Sequence, residues 1–535
     1  MGGHAEPSLR VRLQLVKEGN IENQRCSLSS VSLQLWIAKL IKKERRKRRA
    51  FGIESFIALD RFGLSSTAVL PPGQAVLDEY KWFHIELSAT LFQIIVVAGI
   101  TSSSLPSGVV SHRKSSYQIW VTITLWLMTQ KKVQMEFWEA VTLASCSRIT
   151  AFNWESHKHD WWHNLEKKVG DIAKSGFTSA WLPPATNSLS PEGYLPQNLY
   201  CLDSSYGSSH ILKTLLQKMQ QNKVRAMADI VINHRVGTTK GHGGAYNRYD
   251  GIPLAWDEHA VTSCSGGLGS RSYGENLHGV PNIDHNQAFV RKDIIGWLKW
   301  LRKSIGFQDF RFDFAKGYDP KFVKEYVEES KPVFSVGEYW DSCNYAPPNY
   351  RLDHNQDSHR QRIINWMDKT GQHCAAFDFT TKGILQEAVK GELWRLRDPQ
   401  GKAPGVLGWW PSRAVTFIEN HDTGSTQGHW PFPSGHVMEG YTYILTHPGI
   451  PTVFYDHFYD WGNSSHDQIV KLMDIRCRQD IHSRSKLRIL EARSDLYAAI
   501  IDEKVCMKIG DGSWCPNGKE WKLATSGNRY AVWHK

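Results

Sequence analysis

The chain has 535 residues and carries 64 Lys and Arg against 53 Asp and Glu, a formal net charge of +11. A hydrophobic content of 41% and a charged content of 22% are those of a globular protein and exclude a fibrous or low-complexity chain. Residues 1–135 hold 18 basic and 9 acidic residues and the remainder 46 and 44. The basic character therefore belongs to the N-terminal part, and the rest is nearly neutral, which disfavours nucleic acid or a membrane surface as its partner.

Residues 1–135 read as a basic extension without motif or repeat. Lys42 to Arg49 is a dense basic cluster, read as a solvated charge run ahead of a nuclear-localisation or nucleic-acid patch. The apolar runs Leu91–Ile100 and Ile119–Met128 are each well short of the roughly 20 residues that a bilayer span needs. The extension is expected to be a disordered leader or sequence foreign to the native protein; a transit peptide is disfavoured by Glu6, Glu18 and Glu22. The N-terminus lacks the apolar core of a secretory signal, and nine cysteines without a C-x-x-C pair point to reduced thiols and an intracellular protein.

From about Ser147 strands and helices alternate. The first strand is expected over Ile149–Trp154, where Ser145, Cys146, Ser147 and Arg148 stand in front of it in place of an apolar run. Trp162 to Ser175 is an amphipathic helix closed by Gly176, and Thr178–Pro184 is the second strand. Leu212–Gln221 is helical, Arg225–Val231 is strand three, and a Gly-rich excursion follows from Arg235 to about Val280. Phe310–Phe314 and Phe334–Trp340 are strands four and five. Ala375–Phe379, Val415–Ile418 and Thr452–Tyr455 are strands six to eight. Eight β/α units predict a closed parallel (β/α)8 TIM barrel, whose site lies at the C-terminal ends of the strands. From about Ser483 short strands predict an antiparallel β domain. The expected domains are the extension 1–135, a barrel over 136–482 with an inserted loop domain at 235–285, and a C-terminal β-sheet domain over 483–535.

Three of the strands end in an acid. Phe310-Arg311-Phe312-Asp313-Phe314 alternates aromatic and charged residues, so Arg311 and Asp313 share a face and the arginine keeps the carboxylate ionised. Strand five delivers Glu338 and strand seven runs into Glu419-Asn420-His421-Asp422. Two carboxylates flanking one bond, with a third beside them, are what glycoside hydrolysis needs.

The segments RFDFAKGY, VGEYW and FIENHDTG, with Ala228-Asp229-Ile230-Val231-Ile232-Asn233-His234-Arg235 upstream, resemble in order the four signature segments of the α-amylase family, most closely those of plants, over about residues 151–535. That resemblance implies endo-hydrolysis of α-1,4 bonds in starch and related α-glucans by a retaining mechanism. Asp313 would be the nucleophile, Glu338 the general acid/base and Asp422 the third carboxylate. Substrate would meet Arg311, His234, His421 and Tyr194 at the cleavage subsite, Lys316 and Trp340 on the leaving-group side, and Trp430 along the cleft. Trp409 and Trp410 resemble a surface pair that contacts starch granules, and Tyr497 a second surface site. A calcium ion (Ca2+) would lie on Asn233, Asn282 and the Gly317 carbonyl, near Ser272, Glu275 and Asn276. Asn282 and Ser272 stand where relatives have acids, so one ion, held less tightly than in secreted relatives, is expected. Asp229 reads as a support for Asn233 and Arg311. Glu419, where Asp is commoner, should lie off the catalytic face with little effect. A monomer with no nucleic-acid or membrane partner, in the cytoplasm or alternatively a plastid, completes the expectation. The competing readings are another α-glucan enzyme of the superfamily and a non-catalytic starch-binding protein.

Overall fold

The computed structural model describes residues 9–17, 20–28, 58–60, 80–89, 92–101, 147–347 and 350–535. The chain divides into two compact units, Met1–Trp138 and Glu139–Lys535. In the first, five strands pair antiparallel in the order Asn20–Leu28, Leu9–Lys17, Tyr80–Ala89, Phe92–Thr101, Ala58–Asp60. The apolar run at 91–100 thus falls mostly in the strand Phe92–Thr101. The basic cluster at 42–49 and the apolar run at 119–128 lie outside the described residues. Among the described residues no helix is long and apolar enough to cross a membrane.

The second unit is built on eight parallel strands closed into a barrel: β1 (Ser147–Thr150), β2 (Phe177–Trp181), β3 (Arg225–Ile230), β4 (Asp309–Phe312), β5 (Phe334–Gly337), β6 (Ala375–Phe377), β7 (Ala414–Thr416) and β8 (Ile450–Phe454). Each is followed by a helix: α1 (Trp161–Lys174), α2 (Ser209–Gln221), α3 (Ala288–Trp300), α4 (Pro320–Ser330), α5 (Asp357–Lys369), α6 (Phe379–Ala388), α7 (Val437–Thr446) and α8 (Asn463–Arg478). The helices form because apolar residues recur on one face. In α1 the buried set is Trp161, Trp162, Leu165, Val169 and Ile172, and Gly176 ends the turn after it at φ +89°, a conformation that costs a glycine little. Ser208 caps α2 by accepting from the Ile211 amide.

β1 begins earlier than the sequence suggested. Ser147–Thr150 are the paired residues, all buried, and the chain leaves the barrel at Ala151. Arg148 lays its guanidinium 3.9 Å from the centre of the Phe334 ring, an arrangement that lets a cation share an apolar interior. The closed end of the barrel is fixed by Asp309, which is fully buried, accepts from the Ser179 hydroxyl at 2.7 Å and pairs with Arg225 at 3.0 Å.

The insertion after β3 contains only single-turn helices and isolated bridges, among them His234 with Asn282 and Val261 with Ile283. The C-terminal part forms a five-stranded antiparallel sheet from β9 (Leu487–Ala492), β10 (Tyr497–Ile501), β11 (Val505–Ile509), β12 (Lys522–Gly527) and β13 (Tyr530–His534), in the order β9-β10-β11-β13-β12. One face of it, with Tyr497, Ala499, Val505, Met507 and Val532, joins the same buried core as the barrel.

Candidate active site

Register brings the charged residues together. Asp229 on β3 lies opposite Arg311 on β4, and Phe312 opposite Gly337 on β5. Asp313 and Glu338 then sit one residue past their strands, with the Asp313 amide bonded to Ile230 O (3.0 Å) and the Glu338 amide to Phe312 O (2.9 Å). At Gly337 any Cβ would collide with Trp366 of α5. That indole packs directly behind the strand and donates to the Ala315 carbonyl at 3.2 Å. Phe314 adopts φ +43°, strained for a bulky residue, and its amide thereby donates to Glu338 Oε2 at 3.2 Å.

Arg311, fully buried, is the centre. Its Nη1 reaches Asp229 Oδ1 at 2.8 Å and Asp313 Oδ1 at 2.5 Å, and its Nη2 lies 2.5 Å from Glu338 Oε1. Burial opposes the guanidinium charge, but Asp229, Glu338 and Asp313 outweigh it and hold Arg311 charged. Burial pushes Asp229 up to about 6 against Arg311, which leaves it charged at neutral pH. It also accepts from Trp181 Nε1 (3.1 Å) and the Tyr194 hydroxyl (2.9 Å). Burial first, then Asp313 and Asp422, push Glu338 up to about 8 although Arg311 pulls the other way. Asp422, whose side chain keeps 22% exposure, is also raised, by burial and by Asp313 and Asp229. The site therefore separates a carboxylate pinned by arginine from an acid that keeps its proton, the division of labour that a glycosidase uses.

Around these groups Tyr194, His421 and Trp154 form a layer of nearly parallel rings, Tyr194 to His421 at 5.4 Å and Trp154 to Tyr194 at 6.0 Å. His421 Nε2 is 2.8 Å from the Tyr194 hydroxyl and 3.2 Å from Asp422 Oδ2, and burial and Arg311 keep the ring neutral. His234 is buried with its Nε2 donating to the Tyr194 carbonyl at 2.7 Å, so it props the tyrosine.

The other residues expected at the site are placed as follows. Lys316 is held between Glu275 (2.7 Å) and Asp341 (3.1 Å). Trp340 is half-buried and stacks on Phe379 at 5.0 Å. Trp430 packs on Gly383 of α6 and its carbonyl takes the Lys382 ammonium at 2.8 Å. Trp409 is 38% exposed, with Arg360 3.5 Å from one ring face, and Trp410 is partly packed against the core. Tyr497 corrects its expectation: it is wholly buried and its hydroxyl bonds His447 Nε2 at 2.8 Å, so it presents no surface for sugar. Glu419 is turned to His457 Nε2 (2.9 Å) and to the Phe432 amide, anchoring the loop that carries Asp422.

Sequence reasoning missed Trp154 as a wall of the site; it placed Asp229 as a support for Arg311, which the 2.8 Å pair bears out, but not as an acceptor for Tyr194. The spacing of two between Asp309, Arg311 and Asp313, continued across the sheet to Asp229, carried part of that signal.

The expected calcium ligands can be tested against their hydrogen-bond partners. Asn233 donates its amide to Asn282 Oδ1 at 3.0 Å, and Asn282 donates onward to Ser265 Oγ at 2.6 Å. The set is neutral and engaged with itself. Among the described residues no cluster of three or more His, Cys, Asp or Glu side chains could hold a metal. The donor set at Asn233, Asn282 and Gly317 is thus uncharged and already bonded to itself, a poor fit for a calcium ion.

Comparison with known proteins bears on the fold and the site together. Residues 161–247 match the family model described as alpha amylase, catalytic domain, and residues 478–534 that of the alpha-amylase C-terminal beta-sheet domain. The chain is 76% identical over 387 residues to a protein of Arabidopsis thaliana named probable alpha-amylase 2, covering 72% of this chain and 93% of that one. The chain belongs to the α-amylase family. A second Arabidopsis family member, alpha-amylase 3, chloroplastic, is 51% identical over 389 residues, covering 71% of this chain and 43% of that protein. Among solved structures, an α-amylase from Malbranchea cinnamomea superposes with a TM-score of 0.55 at 15% identity, covering 69% of this chain and 86% of the other, a likeness of fold alone.

Proposed function

We propose that this α-amylase family member cleaves internal α-1,4-glucosidic bonds of starch and related glucans with retention of configuration. The observation that carries this reading is the single guanidinium of Arg311, which gathers Asp229, Asp313 and Glu338 at the ends of three neighbouring strands, with Asp422 close by.

Asp313, held at 2.5 Å by Arg311 Nη1, attacks the anomeric carbon while Glu338 gives its proton to the glycosidic oxygen. The leaving chain departs, and a covalent glycosyl-enzyme remains on Asp313. Glu338, now a carboxylate, takes a proton from water, which hydrolyses the ester and returns both groups to their starting states. Asp422, with His421 beside it, grips sugar hydroxyls. Tyr194 and Trp154 supply flat surfaces for a ring, and Lys316 and Trp340 meet the leaving-group side. Trp409 offers one free face to an insoluble glucan. No step uses a metal.

The protein acts as a monomer on neutral glucan chains and has neither nucleic acid nor membrane as partner. Intracellular residence, in the cytoplasm or a plastid, is supported by the absence of any disulfide among the described cysteines. Incubation of the purified chain with soluble starch, with reducing ends counted and early products followed by NMR, tests the reading. Release of α-configured oligosaccharides supports it. No new reducing ends, or β-configured initial products, would overturn it.

A further inference from the structure

The insertion after β3 has almost no regular secondary structure, so side chains must fasten it to the barrel. Where it leaves β3 and returns ahead of α3, a continuous line of neutral side chains does this. Asn233 Nδ2 donates to Asn282 Oδ1 (3.0 Å), and Asn282 Nδ2 to Ser265 Oγ (2.6 Å). Ser265 and Thr262 share a hydroxyl–hydroxyl bond of 3.0 Å, and Ser272 donates to Thr262 at 3.0 Å. The Ile283 amide bonds Asn233 O and the Thr262 amide bonds Asn282 O, both at 2.9 Å, so the backbone follows the same path. Asn233, Asn282 and Thr262 are all at least nineteen-twentieths buried.

The second fastening is a close approach. A Cβ on Gly317 would collide with Asn233 Oδ1, and one on Gly274 with the Lys316 carbonyl, so the insertion and the end of β4 meet without a gap. The carboxylates nearby have other partners. Glu275 pairs with Lys316 at 2.7 Å, and Asp284 accepts from the amides of Ser270 (2.6 Å) and Asn286 (3.0 Å).

We propose that this chain holds its insertion against the barrel without calcium, by the hydrogen-bonded line Asn233–Asn282–Ser265–Thr262–Ser272 and the Glu275–Lys316 ion pair. A calcium ion takes six to eight oxygens and is held in proportion to the carboxylate charge among them. Here the buried donors are uncharged, and the oxygen of Asn282 already receives the Asn233 amide. Seating an ion would break that bond and strip the ion of water with no carboxylate among these donors in return, since buried Asp284 is already held by the Ser270 and Asn286 amides.

The test reads unfolding and metal binding, so its outcome is separate from whether starch is the substrate. The full chain is melted in excess chelator and in millimolar calcium, and bound calcium is counted by equilibrium dialysis. The two melting temperatures should agree within about 1 °C, where a site filled at a hundredfold excess over its Kd gives several degrees. Asn282→Asp, which restores one buried carboxylate, should bind calcium and melt several degrees higher with it than without it. Ser265→Ala should lower the melting temperature equally in both solutions. Stoichiometric calcium on the unaltered chain, or a melting temperature that rises with calcium, would overturn the proposal. An Asn282→Asp variant that ignores calcium would overturn its basis in donor charge.

Discussion

Arg311 Nη2 and Glu338 Oε1 stand 2.5 Å apart without an aligned hydrogen bond between them. The bonds of the guanidinium run instead through Nη1 to Asp229 and Asp313. Glu338 is thus close enough to feel the arginine but buried enough to keep its proton, while Asp313 takes the aligned bond from the same cation.

The first consequence is an alkaline limb. Glu338 is pushed up to about 8, chiefly by burial, so it is protonated at neutral pH and loses its proton as pH rises through that value. The kcat/KM on soluble starch should fall tenfold per pH unit beyond it. Because the folded value is raised, this group's contribution to stability is fully present below the unfolded carboxyl value and is lost as pH rises towards 8. An activity profile flat to pH 10 would refute the assignment of the acid.

Asp313→Asn keeps the shape and removes the nucleophile. The chemical step should fall by several orders of magnitude while starch binding is largely kept, measured by single-turnover rates and a separate binding isotherm. Glu338→Gln should damage starch cleavage most and cleavage of an α-glucosyl fluoride least, since fluoride departs without a proton. Equal losses on both substrates would remove the proton-donor role.

Arg311→Met leaves three buried carboxyls facing one another. Loss of one partner from a buried charge cluster costs about 3–5 kcal/mol, so the melting temperature should drop clearly and activity should vanish at neutral pH. Arg311→Lys restores the charge but not the planar fork, and should recover stability more than rate. A Met variant as stable as the parent would mean that the cluster is not held by this residue.

Glu419→Asp withdraws the carboxylate by one methylene from His457 and the Phe432 amide. An unmet buried donor costs about 1–3 kcal/mol. The loop bearing His421 and Asp422 should loosen, lowering kcat by more than it raises KM. Unchanged kinetics and melting would show that Glu419 matters as little as its place off the catalytic face suggested.

The eight β/α units and the charged strand ends were legible because alternating aromatic and charged residues and apolar runs followed by acids leave marks of period two. Strand limits were less legible. β1 starts at Ser147 because pairing with β8 and β2 continues through polar residues that carry no apolar signal. Tyr497 misled because an aromatic residue near the chain end says nothing of depth, and only the fold shows it bonded to His447. The ring layer of Trp154, Tyr194 and His421 joins residues 40 to 267 positions apart, a relation that exists only once the barrel is closed.

At the opposite end of the barrel, Asp309 is clasped by Ser179 from β2 and Arg225 from β3. Asp309, Arg311 and Asp313 alternate along one line of the chain, so whatever fixes the first fixes the sliding position of the other two. The clasp works as an alignment pin: it sets how far β4 is threaded past its neighbours. Substitutions at Ser179 or Arg225 would therefore disturb the chemistry without touching sugar, by letting the nucleophile come out of step with the acid on the adjoining strand.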